Sequence, residues 1–128
     1  MVALLDAGDR HHDACARLLA EYPGPLVVPV LCVAEVAYFA RQHGGAEAEL
    51  RFLGTLSAGR PAVNPLHPAD FERIAQLVAR YRNLPLGTTD ASVVAAAERL
   101  GVTTIATLDR RDFTAVNPRH VEAFELLP

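Results

Sequence analysis

The sequence predicts an α/β fold in which a parallel sheet is covered by helices. Short runs rich in valine, leucine and isoleucine alternate along the chain with longer stretches of helical period. Strand and helix follow each other in that order, which implies parallel strands joined by helical crossovers. With 128 residues, of which 51% are hydrophobic and 21% charged, the chain has enough apolar side chains for the core of one domain over 1–128.

The elements follow in order. Residues 1–5 are a short apolar stretch. Asp9 is placed to cap a helix running to about Glu21, with Cys15, Leu18 and Leu19 on one side. Pro23-Gly24-Pro25 stops it, and 26–29 reads as a short buried strand. A helix over 31–43 ends at Gly44-Gly45, and a second covers 46–56, ended near Gly59-Arg60-Pro61. Residues 62–64 form a short strand. Pro68 opens a helix to about Tyr81, with Phe71, Ile74, Leu77 and Val78 at helical spacing. After a loop over 83–88 comes a helix from Asp90 to Leu100, closed by Gly101. The clearest strand is 102–107, followed by a polar turn and Phe113, and 121–126 is the last strand.

Composition narrows the chemistry. All 12 basic residues are arginine, so a Walker A loop, a Schiff-base enzyme and a phospho-acceptor receiver domain, each of which needs a lysine, are excluded. The net charge of −3 does not mark the whole molecule as a nucleic-acid binder. Cys15 and Cys32 form no Cys-x-x-Cys and read as buried free thiols. No apolar run is long enough to span a bilayer and no basic segment precedes an apolar one, so a cytoplasmic protein is expected.

Ligands of parallel α/β folds bind beyond the carboxyl ends of the strands, and three carboxylates fall there. Glu35 interrupts the otherwise apolar turn Val33-Ala34-Glu35-Val36-Ala37, where a charge is rarely buried unless paired or metal-bound; an exposed stripe of an amphipathic helix would also accommodate it. Asp90 follows Gly87-Thr88-Thr89 at a helix start, which favours an acid on structural grounds alone. Asp109 follows the strand Thr104-Ile105-Ala106-Thr107 and stands with Asp112 beside Arg110 and Arg111. Converging carboxylates suit Mg²⁺ or Mn²⁺, and rim arginines suit phosphates. The adjacent His11 and His12 point apart on a helix and read as loop or surface residues. Arg80 and Arg82 read as a solvated helix end, or as part of an RNA-facing patch.

Two stretches resemble the PIN-domain family, in particular its VapC toxin branch. One runs Leu86-Gly87-Thr88-Thr89-Asp90-Ala91-Ser92-Val93-Val94-Ala95-Ala96-Ala97, through Gly101-Val102, to Ile105-Ala106-Thr107-Leu108-Asp109-Arg110-Arg111-Asp112-Phe113. The other is Val28-Pro29-Val30 leading into Val33-Ala34-Glu35-Val36. The resemblance covers nearly the whole chain. It implies a three-layer α/β/α domain with a mostly parallel central sheet. It also implies a site in which Glu35, Asp90 and Asp109 are catalytic and hold Mg²⁺ with Asp112, Mn²⁺ being able to substitute, while Thr107 supports it through its hydroxyl. It further implies an endoribonuclease acting on RNA, a homodimer, and control by a VapB-type antitoxin. The family's opening strand, which ends in an aspartate followed by a hydroxyl residue, has no counterpart here. The segment Ala3-Leu4-Leu5-Asp6 resembles the first helix and loop that succeed that strand, so the first strand and first acid are expected to be missing, with Asp6 as the competing candidate. A PIN fold that only binds an antitoxin, and a DNA nuclease of related fold, stand as alternatives.

Overall fold

The computed structural model of the chain describes residues 2–4, 8–84 and 86–128. Asp6, the ends of the 1–5 stretch and Pro85 in the 83–88 loop lie outside the described residues. The chain forms two compact units, Met1–Asn64 with Pro128, and Pro65–Leu127.

In the first unit a 3₁₀ turn, Val2–Leu4, precedes α1, His12–Glu21. Asp9 starts α1 from just outside it. Its carboxylate accepts the His11 N–H at 2.7 Å and its carbonyl accepts the His12 N–H at 2.9 Å. The two histidines serve different partners. His11 accepts from Arg10 Nε at 2.9 Å, and His12 donates through Nδ1 to the Ala3 carbonyl at 3.1 Å. Strand β1, Val27–Pro29, pairs in parallel with β2, Ala62–Asn64, Val28 lying opposite Val63. Between them runs α2, Val30–Ser57. The predicted break between two helices survives as a bend at Gly45, whose φ of 64° and ψ of −165° are open essentially to glycine alone. Gly44 meets another need, because a Cβ there would fall 2.5 Å from Ala48 Cβ. Val36, Ala40, Ala48 and Phe52 of α2 are buried, as are Val28 and Cys15. Both cysteines are thiols, and Cys32 is half-buried rather than buried.

The second unit opens with α3, Pro68–Arg80. Proline at the first helical position costs no hydrogen bond, and Asp70 caps the helix by accepting the His67 N–H at 2.8 Å. Ile74 and Leu77 are buried, but Phe71 is 59% exposed, against expectation. The inward position is taken by its neighbour Asp70, which is 5% exposed. Helix α4 covers Thr88–Leu100 and starts two residues before Asp90, with Gly87 as N-cap. It ends at Gly101 in the left-handed region, as the sequence predicts. Ala91, Ser92, Val94, Ala95, Ala96 and Ala97 are all buried, so α4 is enclosed over most of its circumference.

Strand β3, Thr104–Ala106, pairs in parallel with β4, Glu125–Leu127, a strand that lies further along than predicted. Among the described residues the strands thus form two parallel pairs, β1 with β2 and β3 with β4, instead of one continuous sheet. A six-residue helix, α5, Arg110–Ala115, occupies what the sequence reads as a polar turn. No helix among the described residues is long and apolar enough to cross a membrane.

Two arginine–carboxylate forks join α3 to α4 in opposite directions. Arg73 of α3 holds Glu98 of α4 through Nε at 2.7 Å and Nη2 at 2.8 Å. Arg99 of α4 holds Asp70 of α3 at 3.1 Å to each oxygen. Glu98 also accepts the Arg119 N–H at 3.0 Å, and Arg119 reaches Gln76 at 2.7 Å, tying the loop after α5 to both helices. Burial pushes both carboxyls up. For Asp70 the bonds and charge of Arg99 and the His67 N–H outweigh it, and for Glu98 those of Arg73 and Arg119 do, so both pKa values lie below their ordinary ones.

Arg73 and Glu98 are only 12% and 9% exposed, so removing one partner leaves a nearly buried charge. Arg73→Ala should destabilise the fold by about 3 kcal/mol in urea unfolding, and Arg73→Met combined with Glu98→Leu should recover most of that loss. The lowered carboxylate pKa values also set a pH dependence. Their stabilisation is complete above the unfolded pKa and is lost as pH falls through the folded one. The urea midpoint should hold from neutrality to about pH 5 and fall below about pH 4, and Glu98→Gln should remove part of that fall.

Candidate functional site

Asp90 is the third residue of α4 rather than its cap. Four N–H groups of a helix's first turn lack internal partners, and the helix dipole adds to their positive field, so an acid there is favoured. The extended Gly87 N-cap lets the carboxylate fold back over the helix start, where Asp90 Oδ2 would lie 3.9 Å from a Cβ on Gly87. Ser92, 1% exposed, donates to the Thr89 carbonyl at 2.6 Å and stiffens the same turn. Asp90 is half-buried.

The carboxyl end of β3 carries the second group. Thr107 Oγ1 accepts the Asp109 N–H at 3.1 Å and donates to the Asp109 carbonyl at 3.3 Å, so one hydroxyl grips both backbone groups of that residue. Asp109 stands at the N-cap of α5, is exposed, and makes no capping bond. Arg110 donates to the Leu126 carbonyl at 3.2 Å and fastens the start of α5 to β4. Asp112 lies in the first turn of α5 and is 8% exposed. Its carboxylate has no hydrogen-bond or ion-pair partner among the described residues. Its oxygens are not among the fully enclosed side-chain atoms without a partner, so the carboxylate keeps contact with solvent at the start of α5.

Asp109 and Asp112 therefore share one helix start, and Asp90 opens a different helix of the same unit. Glu35 belongs to the other unit, on the exposed side of α2, with no partner for its carboxylate among the described residues. Among the described residues no three His, Cys, Asp or Glu side chains are gathered so as to hold a metal ion. The donors that Asp90, Thr107, Asp109 and Asp112 supply are carboxylate and hydroxyl oxygens, which fit a hard cation such as Mg²⁺ or Mn²⁺. The sequence reads Asp112 only as a further ligand beside Asp109 and gives no sign of its burial. Phe113 is buried, at 4% exposed, and it takes Asp112 in with it. Arg110's grip on β4 left no mark in the sequence beyond its place next to Asp109.

The PIN domain sequence pattern matches residues 1–117. Ribonuclease VapC26 of Mycobacterium tuberculosis is 33% identical over 128 residues, a match covering all of this chain and 95% of that protein. The crystal structure of Mycobacterium tuberculosis VapC20, described as a toxin that cleaves the sarcin–ricin loop, has the same fold, with a TM-score of 0.82 at 19% identity over 94% of this chain and 92% of that one. A pattern running through both units, a relative matched along its length and a shared fold agree: the chain belongs to the PIN domain family and, within it, to the VapC type.

Proposed function

We propose that this chain is a Mg²⁺-dependent endoribonuclease toxin of a VapBC-type system, a single PIN domain held in check by a VapB-type antitoxin. The observation that carries the reading is the pair Asp109 and Asp112, together at the start of one short helix just beyond a parallel strand, neither carboxylate bonded to another group among the described residues. The name of the VapC26 relative supports RNA as substrate. The family pattern crosses both units, which supports one domain. A homodimer and a cytoplasmic location complete the proposal.

Asp90, Asp109 and Asp112, with Glu35, would hold the cation, Mn²⁺ substituting for Mg²⁺. When bound, the ion would supply a water of lowered pKa and stabilise the negative charge that develops at phosphorus. Thr107 keeps the Asp109 backbone in place for that task. Arg110 is engaged with Leu126, while the neighbouring Arg111 is exposed with no partner among the described residues and so is free to meet a phosphate. A second reading, a PIN fold that acts only by binding an antitoxin, draws on the absence of a three-ligand cluster among the described residues.

Metal binding and catalysis separate the two. Mg²⁺ should raise the melting temperature of the wild type, and Asp90→Asn should abolish that response. Asp112→Asn should also abolish it. Equal Mg²⁺ responses in all three proteins would place the ion elsewhere.

Cleavage of structured RNA should require Mg²⁺ and stop with EDTA. Loss of a carboxylate that positions the attacking water should cost on the order of 10²-fold in rate for Asp90→Asn or Glu35→Gln. Metal-independent binding of an antitoxin, with no cleavage of any RNA, would select the second reading.

A further inference from the structure

The sequence leaves Arg80 and Arg82 open between a solvated helix end and an RNA-facing patch. Their setting in the second unit favours the patch. Arg111 aside, the other arginines of that unit are engaged: Arg73 and Arg99 fork onto carboxylates, Arg119 holds Gln76 and Arg110 holds the Leu126 carbonyl. Arg80 and Arg82 are exposed and meet no carboxylate among the described residues. The dipole at the end of α3 favours one cation there, such as Arg80 in its last turn. Two of them, on either side of a tethered tyrosine, are more than that needs.

The tyrosine between them ties this turn to the helix that bears two of the candidate acids. Tyr81 Oη accepts the Asn117 N–H at 2.9 Å. Asn117 comes directly after Val116, the C-cap of α5, whose own N–H is donated to the Asp112 carbonyl at 3.2 Å. The helical rise from Asp112 to Val116 is about 6 Å, so the tether holds the end of α3 close to the helix of Asp109 and Asp112. The Arg80 guanidinium lies over the Tyr81 ring, 5.5 Å from its centroid, which steadies it and leaves its charge uncancelled. A planar guanidinium steadied in this way suits a phosphate, whose oxygens it can meet two at a time. A polymer that brings one phosphate to Asp109 and Asp112 brings others on either side of it, and here uncommitted cations stand to receive them.

We infer that Arg80 and Arg82 grip the RNA backbone, each taking a phosphate near the one that is cleaved. The inference rests on the ribonuclease reading and goes beyond it by naming a further stretch of the substrate's path. Phosphate contacts position a nucleic acid without reading its sequence, so these arginines contribute affinity and register, not base preference.

Salt dependence counts such contacts, because each phosphate neutralised releases counterions. Binding is followed by the anisotropy of a fluorescein-labelled single-stranded RNA in the Asp90→Asn background, which keeps the probe intact, over a series of KCl concentrations. Arg80→Gln and Arg82→Gln should each make the slope of log affinity against log salt shallower by about 0.7, and the double variant by about 1.4. The loss should be the same on two RNAs of unrelated sequence, and Arg82→Lys should restore the slope because it keeps the charge. With wild-type Asp90, the double variant should raise KM for RNA on the order of tenfold with little change in kcat. Its melting temperature should hardly move, since both side chains are exposed. A double variant with the wild-type slope and KM would overturn the inference and leave the ribonuclease reading standing. An equal flattening in Arg17→Gln, which removes an exposed arginine of the first unit, would reveal a response to net charge and overturn it too. If the substitutions weaken only antitoxin binding, the arginines belong to a protein interface and the inference fails. RNA that does not bind the Asp90→Asn protein at any salt concentration would sink both.

Discussion

The paired forks between α3 and α4 set the geometry of the second unit. Arg73 reaches from α3 to Glu98, and Arg99 reaches back from α4 to Asp70, so neither helix can slide or rotate against the other without breaking a two-point contact. A bidentate fork fixes direction as well as distance, which a lysine's point charge does not. Glu98 and Arg99 sit near the carboxyl end of α4, and Asp90 sits in its first turn, about 12 Å away along the axis. Anchoring one end of a stiff rod aims the other. The forks therefore position Asp90 without touching it, and through Arg119 they also hold the loop that returns from α5 towards β4.

The electrostatics of this unit divide into two kinds of carboxylate. Asp70 and Glu98 are satisfied twice over, by an arginine and by a backbone N–H, and their lowered pKa values record it. Asp112 is 8% exposed as a residue and its carboxylate has no protein partner among the described residues, but its oxygens are not fully enclosed. Arginine thus meets the charge of the two acids between α3 and α4, while the Asp112 carboxylate keeps contact with solvent.

Much of this was legible in the sequence. The break in α2 comes from two adjacent glycines, the end of α4 from Gly101, and the parallel pairing from the alternation of short apolar runs with helices. The misreadings have local causes. Asp90 looks like a cap because aspartate is favoured there, but Gly87 with two threonines after it begins the helix earlier. Helix α5 is too short to show a period, and its Arg110-Arg111-Asp112 start reads as a turn. Phe71 belongs to an apolar pattern whose centre is shifted by Asp70, a polar residue turned inward by contacts with α4 that no local window contains. The candidate carboxylates were visible as residue types at strand ends and helix starts. The burial of Asp112 was not, because it depends on how α5 packs.

The strand ladders have a consequence for how the chain acquires its shape. Each is only three residues long, and each joins strands separated by one or more helices: α2 lies between β1 and β2, and α5 with its loop lies between β3 and β4. Parallel pairing cannot begin as a hairpin, because the intervening chain must first be drawn together and the entropy of closing it is lost before any ladder bond forms. Three residue pairs offset little of that loss. The contacts available early are those along the helices and between the sequence neighbours α3 and α4, whose forks close over a short connection. Helices then precede strands on the folding path, and the two parallel ladders are its last and most easily reopened additions.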